Sequence, residues 1–103
     1  TKHALLGIVK CAAIDLGKYN IRVNAVGPGP VATDALLGRL KSREANGGTS
    51  VSSALDEFAN NTALGKMATE DDIANTALYL SSNLSSSITG QIIPVCSGLI
   101  RLE

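Results

Sequence analysis

The stretch from Ile21 to Thr33 constrains the fold of this chain more than any other. It opens with β-branched residues separated by short ones, the pattern of a buried strand bounded by turn signals. Pro28 and Pro30 lack the amide that a strand needs, so the strand is predicted to stop at about Gly27. In open α/β sheets, ligands lie beyond the carboxyl ends of the strands. The Gly/Pro elbow is therefore either one wall of a small-molecule site or a plain exit from the strand.

Length and charge narrow the functions that the chain can have. A chain of 103 residues holds at most one domain, and its nine basic and nine acidic residues cancel. This balance gives no electrostatic footprint for nucleic acid or an anionic membrane, and no apolar run approaches the length of a membrane span. Cys11 and Cys96 stand far apart without a CxxC pair, so no metal site is predicted and a reducing, cytoplasmic location is favoured.

Hydrophobic periodicity predicts a helix ahead of the strand, over residues 2–17. Apolar groups lie nearly all round it, which is typical of a helix buried on more than one side, for example between a sheet and a second subunit. Gly7 is expected to mark a point of close packing, because glycine is otherwise unfavourable within a helix. Gly17 is predicted to end the helix, and Asn20 to adopt a left-handed turn before the strand.

The segment 34–68 differs in character from the rest of the chain. Asp34 is predicted to cap a short helix, Asn46 to Ser53 is predicted to be loop, and a second short amphipathic piece follows. A connection of this length inside a compact unit is usually functional or disordered. A substrate lid and a floppy insertion are both compatible with the sequence.

A further helix is predicted to begin at Thr69 and to run to about Ser82. Three acidic residues follow Thr69 and complement the positive helix start, although Asp72 stands where a capping box prefers Glu or Gln. Residues 91–95 then form a second predicted strand, which gives one parallel, right-handed α/β unit. The expected buried stripe of this helix consists of Ile73, Ala74, Ala77, Leu78 and Leu80.

Residues 27–32 formally match the dinucleotide fingerprint G-x-G-x-x-G/A. That fingerprint holds a pyrophosphate through free backbone amides at a helix start. Pro28 and Pro30 remove two of those amides, and no second strand ending in an acid follows at the required distance. We therefore reject a phosphate cradle at this position. Lys2 and His3, taken alone, are typical of surface residues.

Five short motifs follow one another along the chain. They are Thr1-Lys2-His-Ala-Leu-Leu-Gly, Ile21-Arg-Val-Asn-Ala-Val, Pro28-Gly29-x-Val31-x-Thr33, Asp72-Ile-Ala and Ile88-Thr-Gly-Gln. Their order and separations resemble the C-terminal part of the short-chain dehydrogenases/reductases, over essentially all of the chain. Lys10-Cys11-Ala12-Ala13 is most similar to the plant branch that includes secoisolariciresinol dehydrogenase, xanthoxin dehydrogenase and momilactone A synthase. The resemblance implies an α/β fold, the C-terminal portion of a Rossmann-type doubly wound parallel sheet, with residues 1–103 as one partial domain.

The resemblance also implies NAD(P)-dependent oxidation of an alcohol or reduction of a ketone. Pro28, Gly29 and Val31 would line the nicotinamide, and Thr33 would donate to its carboxamide or to phosphate. The segment 34–68 would be the substrate lid. The implied cofactor is NAD or NADP, and the implied partners are a small alcohol or ketone and a second copy of the chain, bound through the first helix.

Lys2 matches the lysine of the family's Tyr-x-x-x-Lys signature. Such a lysine lowers the pKa of the neighbouring phenol and donates to the cofactor ribose. The signature tyrosine, the catalytic serine and the Gly-rich cofactor turn have no counterpart in these 103 residues. We therefore expect the chain alone to be inactive, and to be poorly folded or self-associating, because a parallel pair of strands needs further strands beside it.

Two origins of the sequence stay open at this point. It is either part of an active dehydrogenase or a truncated, non-enzymatic protein that docks on a full-length relative through its first helix. A departure from the family pattern occurs at Val95-Cys96-Ser97-Gly98, where Val-Asp-Gly-Gly is typical. The missing carboxylate and glycine put the C-terminal contact, often an oligomer interface, in doubt.

Overall fold

A computed structural model of the chain describes the backbone of residues 2–99 and the side chains of residues 3–99. The described residues form two compact units, one of residues 2–27 and 74–94 and the other of residues 28–73 and 95–99. The elements in chain order are α1 (Lys2–Gly17), β1 (Ala25–Pro28), α2 (Asp34–Ala45), α3 (Val51–Asn60), α4 (Glu70–Ser81), a turn of 3-10 helix (Asn83–Ser85) and β2 (Ile92–Val95).

Helix α1 has the predicted bounds but buries only one side within its unit. Val9 and Ala13 are buried, whereas Ile8 is 67% exposed and Ile14 is 78% exposed. The sequence predicted a helix buried on more than one side, but the described residues cover only one side of it. The close packing expected at Gly7 is also absent from them, since nothing lies within 4 Å of the position that a Cβ would take there.

The turn after α1 forms as predicted. Asn20 has a φ of 59°, in the left-handed region that asparagine tolerates better than most residues. The amide of Asn20 donates to the Gly17 carbonyl at 2.9 Å, and the amide of Ile21 donates to the Leu16 carbonyl at 3.2 Å. These bonds satisfy the last carbonyls of the helix and direct the chain into the sheet.

Strands β1 and β2 pair with each other in a parallel sheet. The amide of Ala25 donates to the Gln91 carbonyl at 2.8 Å, and the amide of Gly29 donates to the Val95 carbonyl at 3.1 Å. The register therefore advances in the same direction along both strands, which is the parallel pattern. The predicted α/β class with a parallel crossover is confirmed.

Strand β1 begins later than predicted, at Ala25 rather than near Ile21. Val23 makes its backbone bonds outside a regular ladder. Its amide donates to the Thr89 hydroxyl at 3.1 Å, and its carbonyl accepts from the Gly90 amide at 2.7 Å. The polar backbone of this segment is satisfied by a side chain and a turn, so no strand pairing is needed there.

Arg22 holds the end of α4 in the first unit, a role that periodicity did not indicate. Its Nη1 donates to Ser85 Oγ at 3.0 Å and to the Ile88 carbonyl at 3.2 Å, while Nη2 donates to the Ser82 carbonyl at 3.1 Å. Ser85 is 1% exposed, and its hydroxyl also lies 2.9 Å from the Tyr79 carbonyl. A cation at this position also complements the negative end of the helix dipole.

The capping box of α4 is complete, although the sequence predicted it to be imperfect. The amide of Asp72 donates to Thr69 Oγ1 at 3.1 Å, and the amide of Thr69 donates to Asp72 Oδ2 at 2.9 Å. The bond from the Thr69 amide lowers the pKa of the Asp72 carboxyl. An aspartate therefore reaches back as well as the usual glutamate does.

The stripe predicted to be buried along α4 is wrong over much of its length. Ala74 and Ala77 are exposed, and Leu78 is 69% exposed, whereas Ile73 and Leu80 are half-buried. The apolar spacing is that of a covered helix, but the residues that the structure describes leave this face open.

The second unit contains helices α2 and α3, and their caps differ from the prediction. Thr33, not Asp34, caps α2, because its hydroxyl accepts from the Leu36 amide at 3.2 Å. Ser50 caps α3 by accepting from the Ser53 amide at 3.1 Å. The loop predicted to reach Ser53 is therefore shorter, since a hydroxyl in a polar run was available as a helix cap.

Both ends of the α2–α3 hairpin are fixed within the second unit. Val31 forms an isolated parallel bridge with Ala68. Thr62 is buried, and its hydroxyl lies 2.8 Å from the Ala59 carbonyl and 3.0 Å from the Lys66 carbonyl. The chain on either side of the two helices is thus held by backbone pairing and by one buried hydroxyl.

The structure explains the glycine at position 98, in the segment after β2 that departs from the family pattern. Ser97 has a φ of 56° and Gly98 a φ of 76°, so both stand in the left-handed region. A Cβ at Gly98 would lie 2.7 Å from the Cβ of Ala63, whose amide bonds the Gly98 carbonyl at 2.7 Å. Glycine is therefore required at position 98, whereas a small residue is accommodated at position 97.

Candidate active site

Four of the five residues predicted to bind the cofactor line one open groove of about 630 Å³ in the second unit. The groove lies where β1 ends. Their roles stay predictions, but the structure places them together. The lining residues are Pro28, Gly29, Pro30, Val31, Thr33, Leu36, Arg39, Phe58, Glu70 and Ile73.

Lys2, the fifth of these residues, lies at the start of α1. Its side chain is outside the part of the chain that the structure describes. Its predicted catalytic and ribose-binding roles therefore stay predictions.

Two backbone amides of the elbow form hydrogen bonds within the protein and are not available to a ligand. The amide of Gly29 donates to the Val95 carbonyl, and the amide of Thr33 donates to the Val31 carbonyl at 2.7 Å. Pro28 has no amide to offer. These assignments agree with the rejection of a phosphate cradle, which needs several free amides pointing at one anion.

Position 29 is occupied by glycine because Cys96 packs directly against it. A Cβ at this position would stand 2.7 Å from the Cβ of Cys96 and 3.0 Å from its Cα. Cys96 is buried, and the wall of the groove rests against it. Sequence reasoning treated Cys96 as a lone thiol and as part of the departure from the family pattern after the second strand. The tight contact follows from the pairing of the two strand ends, which no local pattern reveals.

The chemistry of the groove suits a flat, mostly apolar group that carries an amide. Pro28, Pro30 and Val31 supply apolar surface at the end of β1. The Thr33 hydroxyl accepts from the Leu36 amide, so its own proton is available to donate to a carbonyl oxygen. A nicotinamide ring with its carboxamide fits this set of groups.

The far side of the groove comes from residues that the sequence placed only within a broad lid segment. Leu36 and Arg39 come from α2, and Phe58 comes from α3. Their spacing on the helices was visible, but which helix face meets the elbow depends on the caps at Thr33 and Ser50. Glu70 and Ile73 at the start of α4 complete the wall.

Other kinds of site find no support in the described residues. Among residues 3–99, no cluster of three or more His, Cys, Asp or Glu side chains is arranged to hold a metal ion. No helix in this part of the chain is both long enough and apolar enough to cross a membrane. Cys11 and Cys96 are free thiols, the first exposed and the second buried.

A family model described as enoyl-(acyl carrier protein) reductase matches residues 1–100. The chain belongs to the short-chain dehydrogenase/reductase family. A member of this family from Aspergillus oryzae, the short chain dehydrogenase/reductase astE, is 37% identical over 101 residues, which are 95% of this chain and 35% of that protein. Xanthoxin dehydrogenase of Arabidopsis thaliana is also 37% identical, over 95% of this chain and 34% of its own length.

Solved structures of family members share the fold. The crystal structure of L-sorbose reductase from Gluconobacter frateurii, complexed with NADPH and L-sorbose, matches with a TM-score of 0.88 and 26% identity. The match covers 100% of this chain and 40% of that one. The chain thus corresponds to part of a Rossmann-type short-chain dehydrogenase/reductase domain, and it spans about a third of the length of the curated relatives it matches.

Proposed function

We propose that this chain forms part of an oxidoreductase that transfers hydride between NAD or NADP and an alcohol or ketone. The observation that carries the proposal is the convergence of Pro28, Gly29, Val31 and Thr33 on one groove at the end of β1. Family membership supports it, since relatives bind NADPH with a small carbonyl substrate, as L-sorbose reductase does.

The groove has a defined part in this reaction. The nicotinamide supplies the position that accepts or gives the hydride when the cofactor is bound. Pro28 and Val31 exclude water from one side of it with apolar surface. The Thr33 hydroxyl, which accepts from the Leu36 amide, would keep its proton free to hold the carboxamide of a bound nicotinamide. The bound ring would supply the hydride chemistry, with the proton of the alcohol passing to a base.

Lys2 is the residue of this chain that we place beside the proton transfer. Its ammonium lowers the pKa of a phenol next to it and donates to the ribose hydroxyls. In the family signature Tyr-x-x-x-Lys, the acid that moves the proton is the tyrosine four residues before the lysine that Lys2 matches. Without that phenol, only the ribose contact is left for Lys2.

We further propose that residues 1–103 form one partial Rossmann-type domain in which residues 34–68 are the substrate lid. Helices α2 and α3 supply Leu36, Arg39 and Phe58 to the far side of the groove, which supports this role. The finer placement near the plant xanthoxin dehydrogenase branch is part of the same proposal, supported by the 37% identity to the Arabidopsis protein.

The exposed apolar side of α1 is proposed as the contact with a second copy of the chain. Leu5, Ile8 and Ile14 are 46%, 67% and 78% exposed. Their removal from water would contribute about 25 cal/mol per Å² of apolar surface. Light scattering of an Ile8→Asp variant tests the proposal, and an unchanged mass would refute it.

A cytoplasmic location is also proposed. It is supported by the two free thiols and is tested by imaging a tagged protein.

The enzymatic proposal is tested on the product of the complete reading frame that contains these residues. We expect oxidation of NADH or NADPH, followed at 340 nm, with at least one member of a panel of small ketones. A Lys2→Ala variant should lose most of this activity, whereas Lys41→Ala, at an exposed position of α2, should keep it. Absence of turnover, together with absence of NAD(P)H binding by fluorescence, would refute the proposal and favour a non-enzymatic docking role.

A further inference from the structure

A second cavity of about 700 Å³ lies between helices α2 and α3 of the second unit. Phe58 lines this cavity and also lines the groove at the elbow. Phe58 is half-buried, and it is the residue of α3 that the groove and the second cavity have in common. The aromatic side chain therefore stands between the two spaces.

The two spaces follow each other along one side of α2. Leu36 and Arg39 line the groove, and Leu40 and Arg43 line the second cavity. Residues three and four apart lie next to each other on a helix surface, so these positions form one continuous stripe. A ligand that extends from the groove along α2 would reach the second cavity at the level of Phe58.

The second cavity differs from the groove in chemistry. Leu40 is buried and forms an apolar floor with Phe58. Asn46 and Asn61 add side-chain amides that can both donate and accept, and Glu57 adds a carboxylate that accepts. A molecule that passed Phe58 would therefore meet both apolar surface and polar partners in the second cavity.

We propose that Phe58 sets the upper limit on substrate length by closing the groove from the second cavity, so that the enzyme selects compact alcohols and ketones. This inference rests on the proposed function, which places the nicotinamide at the elbow side of the groove and the carbonyl substrate on the side lined by Leu36, Arg39 and Phe58. Replacing the ring by a methyl group would join the two spaces. Longer ketones with a polar far end would then become substrates.

The test is a series of methyl ketones that end in a hydroxyl group, lengthened one methylene at a time and assayed with the product of the complete reading frame. The wild type should lose about tenfold in kcat/KM at the length where the chain meets Phe58. The Phe58→Ala variant should accept longer ketones without that loss. The Phe58→Leu variant should shift the limit by a smaller amount.

Leu55 provides the matched control. It is half-buried in the same helix but lines neither space, so Leu55→Ala removes apolar bulk from α3 without joining them. Its length profile and its KM for NAD(P)H should both be those of the wild type.

Two failures are distinguishable. If the wild type reduces short ketones but its length profile is identical to that of Phe58→Ala, the role of Phe58 is refuted while the proposed function stands. A parallel shift of the profile in Leu55→Ala refutes it as well, because general loosening of α3 then explains the effect. If the wild type turns over no ketone at all, it is the proposed function that fails.

Discussion

Replacing Arg22 by alanine should destabilise the protein more than any other single change of a charged residue in the first unit. The guanidinium makes three bonds, to Ser85 Oγ, the Ile88 carbonyl and the Ser82 carbonyl, at 3.0, 3.2 and 3.1 Å. A bond from a charged donor contributes about 1.5–3 kcal/mol, so three set a ceiling of roughly 5–9 kcal/mol.

The net loss is smaller than that ceiling because Arg22 is only half-buried, and water can replace part of what it donates. We expect a loss of about 3 kcal/mol in the free energy of unfolding for Arg22→Ala. Arg22→Lys should lose about 2 kcal/mol, since an ammonium keeps the charge at the helix end but cannot reproduce the planar fork.

The assay is thermal unfolding of the complete protein, followed by circular dichroism at neutral pH. At about 2–4 °C per kcal/mol, the range for domains of roughly 150–250 residues and the nearest to the length of the relatives, Arg22→Ala should lower Tm by roughly 6–12 °C. Lys41→Ala is the control for loss of an exposed cation and should stay within about 0.5 kcal/mol of the wild type. Equal Tm values for Arg22→Ala and Lys41→Ala would refute the reasoning.

Three further predictions concern the second unit. Thr33→Val removes the helix cap, so it should lose about 1 kcal/mol of stability and raise the KM for NAD(P)H. Thr33→Ser keeps a hydroxyl and should keep both the stability and the KM. Equal cofactor affinity in the two variants would contradict the assigned role. Gly29→Ala should lose about 1–3 kcal/mol, because its Cβ would lie 2.7 Å from a buried side chain. Gly38→Ala, in an open stretch of α2, should instead gain about 0.5–1 kcal/mol, and denaturation midpoints compare the two. The folded-state pKa of Asp72 is lowered by its bond to the Thr69 amide, so its contribution to stability is complete above the ordinary carboxyl range and is lost as pH falls below about 4. Asp72→Asn should therefore reduce the fall in Tm between pH 7 and pH 3.

Much of the fold could be predicted from local sequence signals, because no contact with distant residues overrides them. The bounds of α1, the left-handed turn at Asn20 and the end of β1 near Pro28 all depend on spacing, on glycine and proline, or on a tolerated positive φ. The parallel pairing follows from the order of strand, helix and strand. These features are fixed within a few residues of sequence.

The structure differs from the predictions where residues distant in sequence determine the local structure. Val23 satisfies its amide with the Thr89 hydroxyl, so the ladder starts only at Ala25. The apolar stripe of α4 was predicted to be buried, but Leu78 is 69% exposed among the described residues. Both outcomes depend on contacts far along the sequence, which periodicity does not record.

The candidate site likewise contains residues that a motif predicted and residues that no local pattern indicated. The elbow residues were predicted through a motif, and the structure places Pro28, Val31 and Thr33 on one groove. The positions of Phe58 and Cys96 beside the groove were not predicted, because they come from the helix caps and from the packing behind Gly29. Residues that support or close a site carry no motif of their own.

The anchoring of the α2–α3 hairpin has a consequence for how such proteins diversify. Because Val31 is bridged to Ala68, and Thr62 is tied to Ala59 and Lys66, the two helices depart from and return to fixed points. Loop-closure entropy changes only slowly with length, so inserts of different size can span these points. On the proposal that residues 34–68 are the substrate lid, a hairpin grafted between these points from another member should transfer substrate preference.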